Sequence, residues 1–214
     1  MADGNTCSYQ SQAGATWSNL TWATNDSAVI KVDTNYPNTI GGRNSVRIQS
    51  KTTYNDGLFI FDILHTPYGC GTWPALWLSD AYNWPTNGEI DIIEATNAGT
   101  FGNSMTLHTT NGCSMSVKRK ETGNVVSTDC YNGTNYNAGC GVTALPATYG
   151  PAMNANGGGV SCSTASTSKV LTGIGLRHRV TLRRDSHLVL PSQCHPNRHH
   201  GLDSQPLHVG GGSG

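Results

Sequence analysis

One stretch restricts this chain more than any other: Asn87-Gly88-Glu89-Ile90-Asp91-Ile92-Ile93-Glu94. Isoleucine is β-branched and favours a pleated, half-buried strand. Side chains alternate across a strand, so Glu89 and Asp91 share one face while Ile90 and Ile92 point to the other. Strict alternation would then set Ile93 among the acids and bury Glu94. A one-residue β-bulge at Ile92-Ile93 removes the conflict and returns Glu94 to the acidic face. The segment therefore demands a sheet with an apolar face to cover and an opposite face bearing three carboxylates. Their mutual repulsion needs a functional reason. Across the bulge, Glu89 and Glu94 stand about four strand steps apart, roughly 13 Å between α-carbons. Side chains leaning inward over Asp91 could bring the two carboxyls near the ~5–5.5 Å of a retaining glycosidase. The alternative is an acidic face that binds Ca²⁺ through carboxylate oxygens.

The remaining sequence has the same character. Ala28–Asp33, Ser45–Ser50, Gly57–Ile63, Trp73–Leu78 and Ser104–Thr109 all read as strands, and no long amphipathic helical period appears. Gly57–Ile63 is apolar at both parities, as in a strand covered on both faces. Residues 110–159 are rich in Gly, Asn and Cys and read as long loops pinned by disulfides. Charged residues make up 12% of the 214, about half the usual ~25%. The expectation is one all-β domain, a sandwich or barrel. A formal net charge of zero speaks against nucleic acid or an anionic membrane as partner. No apolar run approaches the ~18 residues of a membrane span.

Seven cysteines (Cys7, Cys70, Cys113, Cys130, Cys140, Cys162 and Cys194) show neither a Cys-x-x-Cys pair nor zinc-like spacing, so disulfides are expected and a metal site is not. Cys113 with Cys130 is conceivable, but spacing does not fix the pairing. Sequons begin at Asn19, Asn25 and Asn132, in keeping with secretion, while Met1-Ala2-Asp3-Gly4 has no apolar signal segment behind it.

The pattern Glu-x-Asp-x-x-Glu with isoleucine between the acids resembles the active-site strand of glycoside hydrolase family 16. Gly69-Cys70-Gly71-Thr72-Trp73-Pro74-Ala75-Leu76-Trp77 and Met105-Thr106-Leu107-His108-Thr109 resemble the fungal endo-1,3(4)-β-glucanase (laminarinase) branch of that family. So do Gly42–Ile48 and Asn154–Gly159. The resemblance covers residues 4 to 160 and implies a concanavalin-like jelly-roll sandwich, incomplete at both ends. It further implies an extracellular, monomeric, cofactor-free enzyme acting on β-glucan. Glu89 would be the nucleophile, Glu94 the acid/base, and Asp91 a neighbour sharing a proton with Glu89. His108 on the adjacent strand would tune the acid; otherwise it is a surface histidine. Trp73 and Trp77, four apart on one strand face, could stack on sugar rings, or either could belong to the core. Asn44, Arg47 and Tyr54 could reach sugar hydroxyls and Trp84 could flank the cleft; otherwise they are ordinary surface groups.

Beyond residue 160 the composition changes. Gly150–Gly214 contains no Phe, Tyr or Trp, and six of the eight histidines follow Val160. Residues 1–160 read as a partial catalytic domain and 161–214 as an atypical tail, frameshifted or disordered. Without aromatic strands after Val160, the sheet is expected to have open edges. A catalytically inactive carbohydrate-binding jelly roll and a non-functional truncated product are the competing readings.

Overall fold

Each alternating apolar segment of the sequence is a strand in the computed structural model, which describes residues 7–35, 42–80, 82–116, 122–165, 170–176, 188–190 and 205–213. Among the described residues, eight strands form one sheet. Their order is β1 (Ser8–Tyr9), β4 (Asn44–Tyr54), β14 (Gln205–Ser213), β6 (Thr72–Ser79), β7 (Glu89–Glu94), β8 (Ser104–His108), β10 (Cys140–Thr143), β9 (Asn124–Ser127). A second sheet runs β13 (Leu188–Leu190), β12 (Val170–Leu176), β11 (Gly159–Ala165), β5 (Gly57–Ile63), and β2 (Thr21–Ala23) pairs with β3 (Ala28–Ile30) as a separate hairpin. Helices are short: α1 (Gln12–Trp17), capped by Ser11 accepting from the Gly14 N–H, and α2 (Gly150–Ala155).

The two large sheets pack face to face through an apolar core, as a jelly-roll sandwich must. Leu76, Leu78, Ile90, Ile92, Ile93, Met105, Leu107 and Val142 from the first sheet meet Phe59, Phe61, Ile63, Ala165 and Ile174 from the second. Tyr149 is buried among them and donates from its hydroxyl to the Pro67 carbonyl at 2.7 Å. This burial anchors β7 at the middle of its sheet.

Several sequence expectations change: the region read as long loops, 110–159, carries β9, β10 and α2. β5 is not covered on both faces: it ends the row of the second sheet, so Phe59, Phe61 and Ile63 pack inward while Leu58 and Ile60 are 62% and 58% exposed. The disulfide joins Cys130 to Cys140, not Cys130 to Cys113. The edges expected to be open are also occupied. β11 pairs with β5 from Gly159 opposite Ile63 to Ala165 opposite Gly57, and β14 lies between β4 and β6. Cys194 and much of the stretch after residue 160 lie outside the described residues.

Candidate active site

β7 carries the bulge that its sequence requires. Against β6, Glu89 faces Ser79, Ile90 faces Leu78 and Asp91 faces Trp77; the register then slips, so that Ile93 faces Leu76 and Glu94 faces Ala75. Against β8, Glu89 faces His108, Asp91 faces Thr106 and Glu94, after the same slip, faces Ser104. Cross-strand neighbours share a sheet face. Glu89, Asp91 and Glu94 therefore stand in one row with Trp77, Ser79, Thr106 and His108, while Ile90, Ile92 and Ile93 are all buried on the core side.

A bulge strips backbone groups of their ladder partners. Asn103, fully buried at the approach to β8, replaces them: its Nδ2 donates to the Ile92 carbonyl at 2.9 Å and its Oδ1 accepts from the Glu94 N–H at 2.9 Å. The Asn103 N–H in turn donates to Thr148 Oγ1 at 3.0 Å. No motif flagged this residue. The available signal was indirect: a bulge orphans one acceptor and one donor, and a carboxamide offers both complements.

The acids are held by contacts from both neighbouring strands. Trp73 Nε1 donates to Glu94 Oε1 at 2.6 Å. His108 Nε2 lies 3.1 Å from Asp91 Oδ2, and its Nδ1 lies 3.1 Å from Asn137 Oδ1. Glu89 and Asp91 share a hydrogen bond. Trp84 stands in a turn knitted by Asp80, whose Oδ2 accepts from the side-chain amides of Asn83 and Asn87, each at 2.7 Å. The buried Trp84 indole N–H forms no full hydrogen bond yet lies close enough to Glu89 to lower its pKa.

Burial dominates the electrostatics. Glu89 is pushed up from 4.5 to about 8 by burial, then by the Asp91 charge, with the His108 and Trp84 side chains pulling it down. Asp91 is raised well above the usual range by burial and by Glu94. Glu94 is raised by burial, against the pull of Trp73 and His108. Three crowded carboxyls cannot all ionise cheaply, so the face retains protons at neutral pH.

This has a stability consequence. Glu89 binds its proton more tightly folded than unfolded, so its contribution is fully present below about pH 4.5 and is lost as pH rises through about 8. At ~1.4 kcal/mol per unit, Glu89 accounts for roughly 3–5 kcal/mol across that window. Thermal unfolding of wild type from about pH 5 to about pH 8 is expected to show a falling stability, with a shallower fall in Glu89→Gln. Parallel curves would contradict the burial of Glu89. Removing the indole donor by Trp73→Phe should raise the Glu94 pKa further. In a ¹³C NMR titration the Glu94 carboxyl midpoint should move to higher pH in this variant, and an unchanged midpoint would contradict the indole bond.

The other sequence candidates separate. Arg47 and Trp77 lie together on the acidic face, with the guanidinium carbon 4.6 Å from the indole centroid, so one face of Trp77 is covered. Trp73 is 43% exposed and can still meet a ligand. Asn44 is not brought to the acids. It shares the Val46 face of β4, donates to Asp33 Oδ2 and accepts from Gln10 Nε2, each at 2.8 Å. Tyr54 stands edge-on to Phe59, with centroids 5.6 Å apart, and is tied to β5 at the turn rather than to the acidic row. Glu89, Asp91 and His108 offer ligand-type atoms within 4.8 Å of one another. That set suits Ca²⁺ poorly, since the ion takes about 6–8 oxygens and here an imidazole nitrogen already engages Asp91.

A protein-family model described as the XgeA-like catalytic domain of glycoside hydrolase family 16 matches residues 2–172. That match runs past residue 160 and into β12. A probable glycosidase of Schizosaccharomyces pombe is 50% identical over 141 residues, covering 64% of this chain and 33% of that protein. An endo-1,3(4)-β-glucanase of Arthroderma benhamiae is 41% identical over 158 residues, covering 71% of this chain and 34% of that protein. The chain thus spans about a third of the length of these curated relatives. Among solved structures, Laminarinase 16A of Phanerochaete chrysosporium, with 6-O-glucosyl-laminaritriose in donor and acceptor sites, superposes with a TM-score of 0.88 at 33% identity. It is matched over 100% of this chain and 78% of its own. With the bulged acidic strand in the middle of a jelly-roll sheet and a family model spanning most of its length, the chain belongs to glycoside hydrolase family 16, in its XgeA-like branch.

Proposed function

We propose that this chain hydrolyses internal β-1,3 or mixed β-1,3/β-1,4 linkages in glucans with retention of anomeric configuration. The slipped register of β7 carries this reading, because it alone turns Glu94 onto the same face as Glu89 and Asp91. Glu89 attacks the anomeric carbon as a carboxylate while Glu94 protonates the departing glycosidic oxygen. The glycosyl ester on Glu89 is then displaced by water that Glu94, now ionised, deprotonates. The raised pKa of Glu94 suits its role: burial keeps it protonated for its first task. A proton on Asp91 spares the forming Glu89 carboxylate a neighbouring negative charge. The exposed Trp73 ring, fixed by its own bond to Glu94, offers a wall for a sugar face beside the acid. The glucanase and laminarinase relatives support a glucan as substrate, and the Cys130–Cys140 disulfide fits an oxidising, extracellular setting.

The test is reducing-sugar release from laminarin and from a mixed-linkage glucan, with the first-formed product examined by proton NMR. Hydrolysis giving the β-anomer before mutarotation is expected. An α-anomer first would overturn retention, and binding without products would favour a carbohydrate-binding module.

A further inference from the structure

The loop between the two half-cystines, Cys130 and Cys140, holds an unusual conformation. Asn135, Tyr136 and Asn137 all take positive φ, at 46°, 55° and 64°. Left-handed residues without glycine normally occur singly. Burial does not explain the run, because Asn135 and Tyr136 are exposed and Tyr136 is 106% accessible. The loop is nonetheless fixed at both ends. Cys130 and Cys140 are fully buried and joined, and Thr134 Oγ1 donates to Asp129 Oδ2 at 3.0 Å. Gly139 lies so near the catalytic face that a Cβ there would come within 2.8 Å of His108 Nδ1 and 2.7 Å of the Leu107 carbonyl. The side chain that this conformation delivers inward is Asn137, whose Oδ1 meets His108 Nδ1 at 3.1 Å.

The opposite ring nitrogen faces another acceptor, Asp91 Oδ2, at 3.1 Å. An imidazole whose Nδ1–H donates to Asn137 has no second proton for Asp91 while it is neutral. The Nε2–Oδ2 contact then holds together through one shared proton, resident on Asp91 or on the imidazolium. We infer that Asn137 is a positioning residue, held by a left-handed loop to keep the His108 proton on Nδ1, so that Nε2 and Asp91 share a proton instead of Asp91 standing as a bare anion beside Glu89. The benefit to catalysis rests on the assignment of Glu89 as nucleophile. The tautomer itself does not depend on that assignment. Among the described residues, the ionisable groups facing His108 are Glu89, Asp91 and Glu94, all from β7.

Two variants test this. Asn137→Gly removes the acceptor while tolerating the positive φ, so the loop is retained. Asn137→Asp keeps the left-handed preference and can only accept. In the ¹⁵N-labelled protein, long-range ¹H–¹⁵N correlation reads the protonation of each ring nitrogen, with His108 assigned by its loss in His108→Gln. Nδ1 should be protonated in wild type and in Asn137→Asp. In Asn137→Gly the proton should move to Nε2, donating to an ionised Asp91. On laminarin, kcat should fall about tenfold in Asn137→Gly with KM little changed, the lower end of the loss seen when the hydrogen-bond partner of a metal-bound imidazole is removed, and Asn137→Asp should recover most of it. A wild-type His108 protonated on Nε2 alone, or an unchanged tautomer and rate in Asn137→Gly, would overturn the inference. If wild type fails to hydrolyse laminarin while the tautomer responds as stated, the proposed activity fails and the role of Asn137 in holding the ring stands.

Discussion

Glu89→Gln is expected to lower kcat on laminarin on the order of 10⁴-fold while leaving the protein folded. The amide matches the carboxyl in shape, so Trp84, Asp91 and the strand pairing around it persist, but it cannot form a glycosyl ester. The roles of the two glutamates can be separated by small-anion rescue with an activated aryl β-glucoside. In Glu89→Ala, azide should occupy the vacated site and attack the anomeric carbon once, giving the α-azide. In Glu94→Ala the glycosyl-enzyme still forms on Glu89 when the leaving group needs no acid, and azide should open it to the β-azide. The reverse pattern would exchange the two assignments.

The second large effect is at a residue that touches no substrate. Asn103→Leu preserves approximate volume but removes the donor to the Ile92 carbonyl and the acceptor for the Glu94 N–H. Two buried backbone groups would be left unpaired, a loss of about 2–6 kcal/mol at roughly 1–3 kcal/mol per group. The fold should remain, since the isoleucines still pack, but β7 should relax toward regular pairing and carry Glu94 away from Trp73. A denaturation midpoint that drops together with the rate is therefore expected. Asn103→Asp should fall between, because it retains the acceptor for Glu94 and loses the donor. Wild-type stability and rate in Asn103→Leu would show that the bulge does not depend on this side chain.

The contrast between Glu94 and Asn103 marks what a sequence of this kind discloses. The bulge was legible because a two-residue period and three isoleucines leave no other way to keep three acids together. The side chain that satisfies it was not, since its role depends on which strand lies alongside. Trp73 and His108 were singled out through the family resemblance, and the structure places both beside the acids, although the indole's bond to Glu94 was not foreseen. Asn44 and Tyr54 fail for one shared reason: a polar residue on a strand can serve the next strand as readily as a ligand. Asn44 ties β4 to Asp33 and Gln10, and Tyr54 meets Phe59 across the β4–β5 turn. Composition misled most after residue 160. Loss of aromatics suggested an end to the sandwich, yet backbone pairing needs no aromatics, and β11 completes seven cross-strand pairs with β5. The pairing of Cys130 with Cys140 was similarly out of reach, because it depends on how the intervening loop folds back toward β8.

The central claim is that a bulge aligns Glu89 and Glu94 as nucleophile and acid/base on one face. It is tested most directly by trapping the covalent intermediate. An activated 2-deoxy-2-fluoro-β-laminaribioside should label the wild-type protein once, because fluorine slows both formation and release of the glycosyl ester while the good leaving group restores only its formation. Digestion and mass spectrometry should place the sugar on Glu89, with labelling abolished in Glu89→Gln and retained in Glu94→Gln. A label on Glu94 or on any residue outside β7, or turnover of the natural glucan by Glu89→Gln at the wild-type rate, would contradict the account.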